Sequence, residues 1–373
     1  MHQLMDRPPF RIAALLLGVI LSFPWELSGL LTQGLKLAVA AILLTYGLMP
    51  MVIRFAWKVG ALDIPDARRV HAEPTPRIGG LAVLLSVNLT LFLNFNYSPE
   101  LKGVCVSAMI VAMLSFWDDL RGLSAAVKLT GQLLALGVLM ASGVHVTFAT
   151  DAWWGLPLEY LVTALWVIGI TNAFNFLDGI NGLAASLAAA VCTLMAMLAW
   201  HTGQIYMLLL CLSLVGAAIG FLPDNARYKQ PARSFLGDVG STYLGWIMAA
   251  IAVMGDWSSE GALKAYSAPL LIFSVMIFDM IYTTVARIHR GDVKSLRDWI
   301  EFVGRDHLHH RLMNLGCTPV QTVLVIVALA LIMGLAALAI VKASIFVVWL
   351  LLIQAVIFYF FLSFLMLRQA DHG

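Results

Sequence analysis

The sequence predicts an all-α, polytopic transmembrane bundle of eleven or twelve spans, and three observations carry that expectation. Apolar residues make up 61% of the 373 residues and charged residues only 12%, against about 25% charged in soluble domains. The apolar residues are collected in runs near the ~20 that a hydrocarbon core of about 30 Å demands of a helix, and mean hydropathy is +0.89. The ionisable groups are sorted into a few short segments between those runs.

Taken in order, spans are expected near 12–31, 35–57, 78–95, 101–117, 129–148, 158–177, 183–200, 204–223, 242–256, 265–288, 319–341 and 344–367. Pro24 and Glu26 interrupt the first, which leaves the count at eleven or twelve. Arg7 and Arg11 precede that run and no small-residue cleavage site follows, so it reads as a retained anchor and not a cleaved signal peptide. No repeat, low-complexity tract or soluble appendage stands out, and the whole of 1–373 reads as one integral membrane domain.

Alternating these spans puts the polar segments on one face: 63–77 (DIPDARRVHAEPTPR), 118–128 (DDLRGLSAAVK), 172–183 (NAFNFLDGINGL), 225–241 (NARYKQPARSFLGDVGS) and 305–311 (RDHLHHR). Of the 23 lysines and arginines, all but Lys36, Lys102, Lys264 and Lys342 fall on that side. The positive-inside rule makes it cytoplasmic, at a cell's inner (plasma) membrane. A net charge of +2 says little about partners, but this face is basic enough to attract lipid head groups and phosphorylated substrates. Cys105, Cys192, Cys211 and Cys317 lack any C-x-x-C spacing and read as reduced packing residues.

Ionisable groups beside lipid are costly, and function is the usual reason to keep them. Asp118 and Asp119 end a span; adjacent helical side chains point about 100° apart, so one faces the site while the other supports it. The plainer reading is a helix-end pair neutralised by Arg121 and Lys128. Lys128 opens the next span, where an ammonium either snorkels to the head groups or holds a phosphate. Asn172, Asn175 and Asp178 follow i, i+3, i+6 spacing on one helix face, as ligand contacts or as an amide network between helices. Asp238, set between Gly237 and Gly240 before a helix, suits a cation bridging phosphate oxygens. Neither G-x-x-x-x-G-K nor G-x-G-x-x-G occurs in the chain. His307, His309 and His310 could suggest zinc, but Arg305 and Arg311 would repel a cation, so the loop reads as anion-binding.

Together and in this order, these segments resemble the polyprenyl-phosphate N-acetylhexosamine-1-phosphate transferases (glycosyltransferase family 4). The resemblance covers 63–312 and rests on D-x-P-D-x-R-x-x-H-x-x-P-x-P-R-x-G-G, the Asp118–Asp119 pair, N-x-x-N-x-x-D-G, F-L-G-D-x-G-S and H-L-H-H-R. The His307-Leu308-His309-His310-Arg311 form is similar to the GlcNAc-1-phosphate transferase branch. The alternative, a phospho-MurNAc-pentapeptide translocase, would show three consecutive histidines and Thr-Met-Gly-Gly in place of Arg77-Ile78-Gly79-Gly80. Many bacterial members carry a second acid where this chain has Asn181, which excludes a catalytic carboxylate there. The run at 12–31 also lies outside the usual pattern.

The resemblance implies that a polyprenyl (undecaprenyl) phosphate attacks the β-phosphorus of a UDP-N-acetylhexosamine and releases UMP. This would be the first membrane step of cell-surface polysaccharide assembly. It implies Mg²⁺, with Mn²⁺ an admissible substitute, and membrane lipids as surroundings, no nucleic acid, and a homodimer as a compatible assembly. Asp238 would hold the metal, Asp118 and Asp119 would orient or deprotonate the lipid phosphate, and Lys128 would hold it. Asn175 and Asp178 would support metal and nucleotide, with Asn172 and Asn225 as further substrate contacts. Phe235 would stack on uracil, and Arg305, His307, His309, His310 and Arg311 would bind diphosphate and sugar. A transporter, the reading from another class, would place its polar groups near the midplane; here only Asp279, within the 265–288 run, departs from the interface.

Overall fold

The computed structural model of the protein describes residues 8–24, 29–64, 73–94, 98–149, 153–227, 229–302 and 304–370. Pro65, Asp66, Arg68, Arg69 and His71 of the first charged loop, and Glu26 of the first run, lie outside the described residues. Each of the twelve apolar runs contains a helix. In chain order they are α1 (Pro8–Ser22), α2 (Leu30–Val59), α3 (Gly80–Asn94), α4 (Pro99–Arg121), α5 (Ala125–Ala141), α6 (Gly155–Leu177), α7 (Leu183–His201), α8 (Ile205–Asn225), α9 (Gly237–Met254), α10 (Ala262–Ile272) with α11 (Ser274–Arg290), then α14 (Pro319–Ile340) and α15 (Ile345–Ala370). Two short helices, α12 (Leu296–Glu301) and α13 (Leu308–Asn314), lie in the loop between α11 and α14.

Among the described residues, eight helices are long and apolar enough to cross a membrane, and a ninth crossing is reached if the bent pair α10–α11 counts as one. The chain is a multi-pass membrane protein. α1, α3 and α5 are apolar but shorter.

Helix ends follow local chemistry. Ser98 and Ser124 cap α4 and α5 through their hydroxyls, with Pro99 at the first helical position of α4. Thr318 and Gln321 form a capping box on α14, again with proline at the first position.

Three expected spans differ in the structure. The 12–31 run is not one helix: α1 closes at Ser22, whose hydroxyl turns back onto the Gly18 carbonyl, and a new helix begins at Leu30. The 129–148 run stops at Ala141, where the Ser142 hydroxyl satisfies the Leu139 carbonyl. The 265–288 run breaks at Phe273 with a bend of 75°. Pro269 has no N–H to donate, and α10 closes with the Phe273 amide on the Pro269 carbonyl.

α9 lies at the centre. Every residue from Val239 to Val253 is buried, which reflects packing on all sides against α3, α4 and α6. α2 packs on α1, α3 and α8, and α7 links α8 to α14. α15 is the opposite case: Phe346, Trp349, Ile353, Val356, Phe360 and Phe364 face outward, as a lipid-facing helix requires. Among the described residues the one sheet is a two-residue antiparallel ladder, Leu62 opposite Pro76 and Asp63 opposite Thr75, which draws together the ends of the first charged loop.

Candidate functional site

Three helix termini converge: the ends of α4 and α6 and the start of α9. At the end of α4 the two aspartates go separate ways, as their angular separation requires. Asp118 takes the Leu123 amide on Oδ1 at 2.5 Å and the Lys128 ammonium on Oδ2 at 2.8 Å. Asp119 is buried, and its carboxylate accepts the amides of Asp238 at 3.3 Å and Val239 at 3.0 Å. It thereby caps α9, whose first residues would otherwise leave their N–H groups unpaired. Arg77 lies 3.8 Å from the same carboxylate and donates to the Asp119 carbonyl through Nε and Nη2.

α9 begins at Gly237, whose φ of +74° is open to few other residues. A Cβ there would also strike the Arg77 carbonyl and the Asp119 carboxylate. The next residue, Asp238, accepts Asn175 Nδ2 at 3.1 Å and lies 3.3 Å from Lys128 Nζ. One ammonium therefore bridges Asp118 and Asp238. Asn175 also donates to Ser241 Oγ at 2.7 Å, tying α6 to α9.

Asp178 closes α6 beside Asp238 and Asp119. Burial, followed by the nearby charges of Asp238 and Asp119, pushes its carboxyl well above the ordinary carboxylate range. Asp118 and Asp238 share Lys128 and Asp119 lies beside Arg77, so three carboxylates meet two cations, a surplus of negative charge that favours an added cation. Among the described residues no three His, Cys, Asp or Glu side chains form a ready-made metal cage. Oxygen donors in this number still fit Mg²⁺, which commonly takes one or two protein carboxylates and completes its shell with water and substrate phosphates.

The histidine segment forms the facing wall. His307 is buried and stacks on Phe176 with centroids 4.9 Å apart. His309 is 1% exposed and packs so closely on Gly179 that a Cβ there would collide with its ring. Both His309 ring nitrogens, Arg311 Nη2 and Tyr282 Oη are buried and find no hydrogen-bond partner among the described residues. Unpaired buried polar atoms of this kind mark a place for a polar ligand. Arg311 also sits over the Tyr282 ring, 4.7 Å from its centroid, while Arg305 is exposed.

Arg311 and Tyr282 lie at one end of an apolar cavity of about 1260 Å³ between α10–α11 and α15. Leu271, Phe278, Ala355 and Tyr359 line its depth, and His289 and Arg290 share its polar end with Arg311.

Asn172 and Asn225, two further expected contacts, are engaged in hydrogen bonds within the protein. Asn172 and Gln132 exchange amide hydrogen bonds at 3.0 and 3.3 Å, and Asn172 also donates to the Ile168 carbonyl. Asn225 is buried, taking the Gly182 amide at 2.6 Å and giving to the Ser234 carbonyl at 3.1 Å. Phe235 is half-buried, its amide on the Pro76 carbonyl at 2.8 Å. Sequence reasoning gave no role to Arg77, Arg287 or Asp306. Arg287 grips Asp306 with two hydrogen bonds at 2.9 and 2.6 Å. The signal available was an arginine and an aspartate flanking the histidine run.

Burial, and then the neighbouring His310 and His307, push the His309 imidazole down to about 3. A folded value below the unfolded 6.5 or so means that His309 supports the fold fully above pH 6.5 and progressively less as pH falls toward 3. At pH 5 the cost is about 2 kcal/mol. Asp306, held at about 2 chiefly by its Arg287 and Arg290 hydrogen bonds against the opposing effect of burial, changes its contribution only below pH 3.8 and adds nothing in this window. Amide exchange of α13, corrected for its intrinsic rate, should therefore quicken between pH 7 and pH 5. The same measurement on His309→Gln should weaken that dependence, leaving the part due to His310, which burial also pushes down; an unchanged profile would show that the ring is not held neutral.

Comparison with known proteins bears on the same residues. The sequence profile of the family described as Glycosyl transferase family 4 matches residues 101–256, which include Asp118, Lys128, Asn175, Asp178 and Asp238. A Bacillus subtilis protein named probable undecaprenyl-phosphate N-acetylglucosaminyl 1-phosphate transferase is 32% identical over 325 residues, covering 84% of this chain and 88% of its own length. A Mycobacterium tuberculosis decaprenyl-phosphate N-acetylglucosaminephosphotransferase is 30% identical, with 83% of each chain covered. The Escherichia coli undecaprenyl-phosphate alpha-N-acetylglucosaminyl 1-phosphate transferase is 27% identical, with 77% of this chain and 78% of its own covered.

Proposed function

Because the chain belongs to glycosyl transferase family 4, we propose that it transfers N-acetylglucosamine 1-phosphate from UDP-N-acetylglucosamine to a polyprenyl phosphate such as undecaprenyl phosphate. The lipid phosphate oxygen attacks the β-phosphorus, the bond to the α–β bridging oxygen breaks, and UMP leaves. The observation that carries this reading is the Lys128 ammonium bridging Asp118 and Asp238 where three helix ends meet. Phosphoryl transfer asks mainly for positioning and for cations on the phosphate oxygens.

A divalent cation, Mg²⁺ or Mn²⁺, would be held by Asp238 and Asp118, and it would neutralise charge developing on the transferred phosphoryl group. Lys128, within reach of both carboxylates, would hold the lipid phosphate. Asp119 keeps the Asp238 backbone in register by capping α9, and Asn175 holds the Asp238 side chain, with Asp178 beside it. Phe235 and the donors of His309, His310, Arg311 and Arg305 would take the nucleotide, diphosphate and sugar. The cavity between α10–α11 and α15, apolar along its length, suits a polyprenyl chain.

The gathering of basic residues in the loops around this site supports a cytoplasmic position at the inner membrane, where UDP-sugars are made. The product would open the assembly of a cell-surface polysaccharide. Purified protein given undecaprenyl phosphate, Mg²⁺ and a panel of UDP-sugars should release UMP fastest with UDP-N-acetylglucosamine. Release from UDP-MurNAc-pentapeptide alone would move the chain to the muramyl branch, and no release from any sugar would end the reading.

A further inference from the structure

α11 carries a buried carboxylate that nothing above assigns. Asp279, 1% exposed, takes His307 Nδ1–H on one oxygen at 2.8 Å and the Leu308 amide on the other at 2.6 Å. On its other side the His307 ring presents Nε2 to Arg287 Nη2 at 3.3 Å. A guanidinium can only donate, so Nε2 accepts and the ring proton is on Nδ1, facing Asp279.

Leu308 is the first residue of α13, and the residue before it, His307, supplies no side-chain cap. A seven-residue helix is too short to persist on its own hydrogen bonds. Asp279 therefore provides from a different helix the acceptor that α13 lacks, and it places negative charge at the end of the helix where charge of that sign is favourable. α11 grips three consecutive residues of the loop: Asp306 through Arg287, the His307 ring through Asp279, and the Leu308 amide through Asp279. The grip sets His307 against Phe176, His309 against Gly179 and Arg311 at the end of the cavity.

We propose that Asp279 is a positioning residue for the transfer reaction, holding His307 as its Nδ1–H tautomer and capping the helix that presents His309, His310 and Arg311. The inference rests on the reading of that helix as one wall of the substrate site. An asparagine has one acceptor for two donors, so its NH₂ would face either the His307 N–H or the Leu308 N–H. Turning the ring over would only move the conflict to Arg287.

Asp279→Asn should lower kcat/KM for UDP-N-acetylglucosamine at least 10-fold. It should also speed amide exchange at least 10-fold across 308–314 while leaving protection in α9 unchanged. A second variant separates positioning from packing. Proline suits the first turn of a helix, and the His307 ψ of 160° suits the residue before it. Leu308→Pro removes the second donor, so Asp279→Asn added to it should cost less than 3-fold in kcat/KM and leave exchange of 309–314 as in Leu308→Pro alone.

The proposal is overturned if Asp279→Asn keeps kcat/KM within 2-fold, if protection in α9 is lost along with that in α13, or if the loss is as large in the Leu308→Pro background by either readout. Absence of UMP release by the unmodified protein would instead count against the proposed reaction, while the exchange measurement would still report on the cap.

Discussion

Asp238→Asn should reduce turnover by about 100- to 1000-fold, the loss of roughly 3–4 kcal/mol of transition-state stabilisation. Hard cations prefer charged oxygens, and the amide keeps the shape of the side chain while giving up that charge. Its remaining oxygen can still accept Asn175 Nδ2, so the link between α6 and α9 survives. The fold should not suffer, because removing one charge relieves the crowding that raises Asp178. Activity and thermal stability are thus expected to part company. Titrating the variant with Mg²⁺ checks the assignment: near-normal rates at limiting metal would refute it, and a loss of stability matching the loss of activity would make Asp238 a structural residue.

Lys128→Met is expected to raise the KM for polyprenyl phosphate by 10-fold or more while leaving that for the UDP-sugar within about 3-fold. Methionine keeps the apolar stem and removes the charge, and a charge-assisted hydrogen bond to phosphate is worth about 1.5–3 kcal/mol. The ammonium is also the cation that Asp118 and Asp238 share, at 2.8 and 3.3 Å. Removing it leaves two carboxylates facing each other, so the variant should bind Mg²⁺ more tightly, and added metal should partly restore its folding stability. Steady-state kinetics with each substrate varied in turn decide the matter. A rise confined to the UDP-sugar KM would assign Lys128 to the nucleotide side.

The cluster around Lys128 was legible because polar groups at the end of an apolar helix need a reason to be there. Asp118, Lys128, Asn175, Asp178 and Asp238 all stood out in that way, and the fold brings them together. Long-range pairing was not legible. Nothing local marks Asp119 as the cap of a helix more than a hundred residues later, Asn225 as the brace of the Gly182 turn, or Gln132 as the partner of Asn172. Asp279 looked like an exception within a span because its partners, His307 and Leu308, come from a later loop.

Helix boundaries failed where apolarity and helicity separate. Residues 142–148 are apolar enough to extend α5, yet the chain turns at Ser142 and Gly143. The 265–288 run hides a 75° bend behind a continuous hydrophobic pattern. Pro269 was the visible sign, but proline alone does not tell a kinked helix from a straight one that tolerates it.

The central claim is that this site moves a phospho-sugar, not a sugar, onto a lipid phosphate at the cytoplasmic face. UDP-N-acetylglucosamine labelled with ³²P at the β-phosphorus, given to inside-out membrane vesicles containing the protein and polyprenyl phosphate, tests it directly. The account predicts that the label enters the lipid as a diphosphate, with unlabelled UMP released, and that sealed right-side-out vesicles incorporate none. Label leaving as UDP with unlabelled sugar on the lipid, or equal incorporation from both sides of the membrane, would contradict it.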